Sequence, residues 1–203
     1  MTDSTQHPET AEPDLVEPPV DGDEVATLLG SLERCRATFA WKVGGLDHAA
    51  LTATHGGSSI TLGGLVKHLA FAEVLWFCTR LVGERPGDPW EDADWDAQPA
   101  WPWTSAADDE PEQLYALWRE SVVRARAGID RALADGGLDH RAVWWDGEDD
   151  RPKPTLRRML VDLIEEYARH NGHADLYRES IDGLVGEDPP AVPALYPRPA
   201  GRG

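Results

Sequence analysis

The chain has 203 residues, 41% of them hydrophobic, which suits one domain with its own core and loose ends. Against 19 Lys and Arg stand 37 Asp and Glu, a formal net charge of −18. Such a surface repels phosphate backbones and anionic lipid headgroups, so neither nucleic acid nor membrane is expected as a partner.

Residues 1–22 are acidic, Pro-rich and without Lys or Arg, and read as a disordered tail. The first helix is expected over 23–43, stopped by Gly44 and Gly45. His48, His55 and the Gly56-Gly57-Ser58-Ser59 turn fall in a solvated loop over 46–60. Thr61 then caps a second helix over 62–83, the strongest apolar helix of the chain. Residues 84–111 form a long loop carrying Trp90, Trp95, Trp101 and Trp103. Four indoles argue for rings packed on the outside of the bundle, with a lid over one end of a pocket as the sharper alternative.

Pro111 opens a third helix over 111–134, ended by Asp135-Gly136-Gly137. The loop 138–154 holds Trp144, Trp145 and the acidic run Asp146 to Asp150. That run lacks the periodicity of a calcium loop and reads as solvated charge. Thr155 begins a fourth helix, 155–182, closed at Gly183. The Pro-rich tail 186–203 reads as a surface strap or as loose chain. Four amphipathic segments and no strand-like alternation give an all-α, four-helix-bundle fold with its domain over 23–185.

The chemistry lies on the fourth helix. Glu166, His170 and His173 are spaced i, i+4, i+7, which at about 100° per residue places them within about 60° of one another. Met159, Leu163, Tyr177 and Ile181 share that face, so a carboxylate and imidazoles sit on the stripe that should meet the core. Unpaired burial there is costly, and a divalent metal is the leading partner. His68 lies amid the apolar stripe of the second helix, with the small Ala72 one turn later. Bundles build metal sites from facing helices. His68 with the Glu/His pair gives three protein ligands and leaves positions open for water or substrate. His170 and His173 compete for the third place. The plainer reading is a hydrogen-bonded polar cluster without metal.

Cys35 and Cys78 form no disulfide framework and suit a reducing cytoplasm, Cys78 as small core packing. Arg34 is the first basic residue, so no basic leader region precedes it, and no apolar run is expected to approach membrane-spanning length. Gly-rich phosphate loops, Gly-x-Ser-x-Gly elbows and Cys-x-x-Cys pairs are absent from the sequence.

The stretches LGGLVKHLAFAEVLWF and EEYARHNGHADLYRESIDG, with FAWKVGGLD before them and LYALWRESVVRARA between them, resemble the DinB-like superfamily over about residues 24–185. The similarity is to the branch related to mycothiol-dependent maleylpyruvate isomerases and to bacillithiol and mycothiol S-transferases. It implies a four-helix bundle with a divalent metal held by one side chain of the second helix and two of the last. Superfamily members often use His-x3-His. Here Arg169 stands four residues before His173, whereas Glu166 and His170 have that spacing and resemble the Glu/His pair of the isomerases.

The resemblance therefore implies His68, Glu166 and His170 as ligands, with zinc foremost and nickel or iron(II) next. Such a site needs the His68 and His170 nitrogens about 3–4 Å apart. His173 is then a fourth ligand or an acid/base, and Tyr167 a second group to move a proton. A low-molecular-weight thiol such as mycothiol is the implied cofactor and a small electrophile the partner, possession of a homodimer being a further expectation. Only three Lys against sixteen Arg fit a high-GC, actinobacterial-like genome, in which mycothiol is often the main thiol. The expected activity is a metal-dependent thiol S-transferase or isomerase. The competing expectation is a metal-binding, stress-response or small-ligand-binding bundle without turnover.

Overall fold

Four long helices carry the structure, a computed structural model that describes residues 16–145 and 152–199. α1 spans Glu24–Val43, α3 Leu62–Glu73, α5 Pro111–Gly136 and α6 Leu156–Asp182. Two short helices join them, α2 over His48–Thr52 and α4 over Trp101–Ser105. Among the described residues there is no strand, and Arg141 and Thr155 form an isolated antiparallel bridge. Residues 1–15 and the acidic run Asp146 to Asp150 lie outside the described residues.

Each long helix starts where a side chain can satisfy its free N–H groups. Asp23 accepts from Ala26 N at 2.8 Å, Thr61 from Gly64 N at 3.0 Å and Thr155 from Arg158 N at 3.4 Å. α5 opens on Pro111 with a reciprocal Glu110/Gln113 box. Gly183, in the left-handed conformation at φ 78°, ends α6.

Three features depart from the sequence-based expectation. The 46–60 and 84–111 loops each contain a five-residue helix, too short to leave a periodic signal. The second helix changes winding at Val74 and runs as a π-helix to Arg80. There Phe77 presents its carbonyl oxygen to Gly128 of α5, only 2.3 Å from where a Cβ would stand. Leu62–Arg80 is also, by length and composition, apolar enough to cross a membrane, contrary to the expectation that no run approaches that length. Within the bundle 72% of that window is buried, as a core helix requires.

α1 packs along α6 and α3 along α5, with α3 against α6 closing the seam that matters below. Leu32, Leu65, Leu69, Phe77, Trp118, Val122, Met159 and Leu163 are among the fully buried core. A charged network runs through this core. Arg36 of α1 makes a bidentate pair with Glu73 of α3, Nε to Oε1 at 2.7 Å and Nη2 to Oε2 at 2.6 Å, both side chains buried. Tyr167 of α6 donates to the same Glu73 Oε1 at 2.7 Å and accepts from Trp118 Nε1 of α5 at 3.0 Å.

Arg36 Nη1 also reaches Glu33 at 2.8 Å, and Arg126 of α5 grips both Glu33 oxygens at 2.8 and 2.6 Å. Tyr196 closes the network from the C-terminal strap, donating to Glu33 at 2.7 Å. The strap's Leu195 and Tyr196 are buried. At the other end, residues 16–22 run over α1, where Pro18 and Pro19 meet Gly30.

Three outcomes are expected. Glu73→Ala strands a buried guanidinium and should cost about 3–5 kcal/mol in urea unfolding; a cost near zero contradicts the network. Gly128→Ala gains helix propensity but collides with the Phe77 carbonyl, so it should lower stability by about 1–3 kcal/mol, and a raised melting temperature contradicts the close approach.

The third concerns acid. Burial opposes ionisation of Glu33, but Arg36, Arg126 and Tyr196 outweigh it and bring its carboxyl down to about 2 from 4.5. Because the folded value is depressed, its stabilisation is full above about 4.5 and fades as pH falls towards 2. Glu33→Gln should thus differ most from wild type at neutral pH, with the gap in urea midpoint narrowing below pH 5. A gap that stays constant contradicts this.

Candidate metal centre

The seam between α3 and α6 brings together the three residues singled out as ligands. His68 projects from α3 and Glu166 and His170 from successive turns of α6, and one ligand atom from each lies within 4.8 Å of the other two. His68 Nε2 is 2.8 Å and His170 Nε2 3.1 Å from the same oxygen, Glu166 Oε1. The imidazoles meet edge to face, centroids 4.9 Å apart and planes at 76°.

An ionised carboxylate only accepts, so both Nε2 atoms carry the proton and donate to it. The two bonds, His170 first and His68 next, overcome burial and hold Glu166 well below the usual carboxylate range. Exposure is graded across the cluster: the His170 side chain is 7% exposed, His68 21% and Glu166 35%. The cluster is anchored in the core on one side and open to solvent on the other.

His173 lies one turn beyond, half-buried, its Nδ1 3.2 Å from His170 Nδ1. It therefore reaches the nitrogen of His170 that faces away from Glu166. Burial, then the neighbouring His170 and Arg169, push its pKa below the ordinary histidine value. Tyr167 is placed elsewhere. One residue on from Glu166, it turns fully into the core, and its hydroxyl is engaged by Glu73 and Trp118.

One member of the site was not singled out from sequence. Trp103, on α4, stacks on His68 with centroids 4.3 Å apart and planes at 23°, and meets His170 at 5.7 Å. The indoles divide the two roles considered for the loop. Trp90 and Trp95 pack on Phe71 at 5.2 and 4.5 Å, and Trp101 packs on both of them. Trp103 alone of the four covers a candidate ligand. The two loop histidines expected to be solvated are exposed, His48 with its Nε2 3.0 Å from the Ala107 carbonyl and His55 with its ring 5.7 Å from Tyr177.

The donor set fits a divalent ion. Two imidazole nitrogens and a carboxylate oxygen converge from two helices, and each Nε2–H proton is one that a metal can displace. Nitrogen–oxygen sets of this kind suit zinc, nickel or iron(II).

No curated protein matches this chain. A family model does: mycothiol-S-transferase, over residues 27–183. That span takes in α1 from Thr27 onward and the other three long helices whole, together with His68, Glu166, His170, His173 and Trp103. With this match and an all-helical bundle around a His/Glu cluster, the chain belongs to the mycothiol-S-transferase family, whose role is thiol-related transfer.

Proposed function

We propose that the protein is a divalent-metal-dependent S-transferase that joins a small thiol of the mycothiol type to a small electrophile. The observation that carries this reading is the convergence of His68 Nε2 and His170 Nε2 on one Glu166 oxygen, in a chain of this family. His68, Glu166 and His170 are the residues that would hold the ion, zinc foremost. A divalent ion held there would acidify a coordinated thiol so that it reacts as thiolate.

The chain's own residues supply the rest. Glu166 brings one negative charge, which offsets part of the ion's charge and leaves the site less acidifying than three neutral imidazoles. To become a ligand His170 must present a lone pair at Nε2, so its single ring proton shifts from Nε2 to Nδ1 and is donated to His173 Nδ1. His173 thus fixes the His170 tautomer. With its acceptor nitrogen given to His170, His173 has none left for the thiol, whose proton leaves to solvent on the exposed side of the cluster: the S–H bond breaks, sulfur bonds to the electrophilic carbon, and the displaced group departs with its electron pair. An isomerisation would use the same thiol addition and end with the thiol's release. Tyr167, held in the core, supports α6 rather than moving a proton.

The surface charge and the two free cysteines support a reducing, cytoplasmic setting with small molecules as partners. A homodimer belongs to the same reading.

Metal content and thiol-transfer rate, measured together in two variants, test the assignment. Glu166→Ala should lose metal and turnover at once, whereas His173→Ala should keep its metal and lose about ten- to a hundredfold in affinity or rate. A His173→Ala protein that empties while Glu166→Ala stays loaded would mean the wrong third ligand. A metal-loaded wild type that transfers no thiol, with mycothiol, bacillithiol or glutathione, would favour a binding module without turnover.

A further inference from the structure

The Trp103 indole lies flat along α3. It stacks on His68, and one turn earlier its Cε3 would be 3.2 Å from a Cβ at Gly64. Gly64 and His68 are spaced i, i+4 and share one face of the helix, so the ring covers both. A Cβ there would be tighter than ordinary contact, so glycine at this position lets the ring sit this close. From the α6 side the His170 ring meets the same indole.

The helix that carries Trp103 is itself held down. Lys67, the residue before His68, is buried, with Nζ 2.5 Å from Asp109 Oδ2 and 4.3 Å from the centre of the Trp101 ring. Trp101 is the first residue of α4, two before Trp103, and Asp109 follows the helix. One cation thus fixes both ends of the segment that delivers Trp103.

An imidazole rotates about χ2 in a broad, roughly two-fold well, so the helix alone does not decide where its ring nitrogens point. Here the indole face fixes the plane of the ring, and the bond to Glu166 chooses between its two flips. We propose that Trp103 is a positioning residue for the metal site: by stacking on His68 it holds the ring in the plane in which Nε2 meets Glu166, and the Lys67–Asp109–Trp101 clamp keeps Trp103 in place. This rests on the metal reading above. Its consequence is that metal affinity depends on a loop that supplies no ligand. Holding a ligand's ring in its productive orientation influences metal affinity as strongly as other contacts behind the ligands do.

The test titrates purified full-length protein with zinc against a chelating dye and records the ligand-field absorption of the cobalt(II)-loaded form. Trp103→Leu removes the stack, Trp103→Phe keeps a ring, and Lys67→Met releases the clamp while retaining an apolar stem. The melting temperature of each metal-free protein is recorded beside them. Trp103→Leu is expected to weaken zinc about tenfold and to change the cobalt spectrum, with the metal-free melting temperature close to wild type. Trp103→Phe should recover most of the affinity, and Lys67→Met should weaken zinc in the same direction by less.

Wild-type zinc affinity in Trp103→Leu overturns the proposal. So does a loss shared equally by Trp103→Phe, or one matched by a fall in metal-free melting temperature, since those mark general packing. A wild-type protein that takes up neither ion overturns the metal reading itself, and this inference with it. That result is distinct from a wild type that loads normally beside an unaffected Trp103→Leu.

Discussion

The buried pair between Arg36 and Glu73 is the constraint on which the arrangement of helices depends. Taking both charges out of water is costly, and the cost is offset only when every polar atom finds its partner. Here that requires α1 to supply Arg36, α3 Glu73, α6 the Tyr167 hydroxyl and α5 the Trp118 indole. Sliding α1 or α3 by a turn would strand a charge in the core, and sliding α6 or α5 would leave the Tyr167 hydroxyl or the Trp118 indole without its partner. A leucine-rich interface tolerates such slippage far better, because apolar packing is non-directional. The network therefore selects one axial register, and His68, five residues before Glu73, meets Glu166, one residue before Tyr167.

Two glutamates of this bundle show how surroundings divide structural from functional roles. Glu73 is bound by a guanidinium, which keeps its protons at any physiological pH and donates through a rigid fork. Nothing there can make way for an ion. Glu166 is bound by two imidazoles, each of which can release its Nε2 proton and offer a lone pair instead. It is also partly exposed, so an ion and a ligand can approach. The same side chain is locked in one case and exchangeable in the other. An ion held there would take the place of the two Nε2–H bonds, each ring keeping its one proton at Nδ1.

The long helices and the triad were legible because local rules set them. Caps at Asp23, Thr61 and Thr155 and the glycine stop at Gly183 are written in neighbouring residues, and Glu166 and His170 share a face by spacing alone. Tyr167 was open to misreading because spacing gives its direction around the helix but not its partner. Only the approach of Glu73 and Trp118 commits its hydroxyl. Trp103 was hidden for a similar reason. Four Trp in a long loop indicate rings that pack, whereas which one meets His68 depends on the Lys67 clamp and the space at Gly64. The π-helical turn is equally non-local, since its fit depends on a glycine fifty residues away in α5.

The central claim is that the triad serves a thiol through a metal. Calorimetric titration of mycothiol into the zinc-loaded protein, the zinc-stripped protein and Glu166→Ala tests it most directly. The account predicts saturable binding to the loaded wild type and none to the stripped protein or the variant, with binding restored when zinc is returned to the wild type. Equal binding to loaded and stripped protein would contradict it, placing the thiol away from His68, Glu166 and His170.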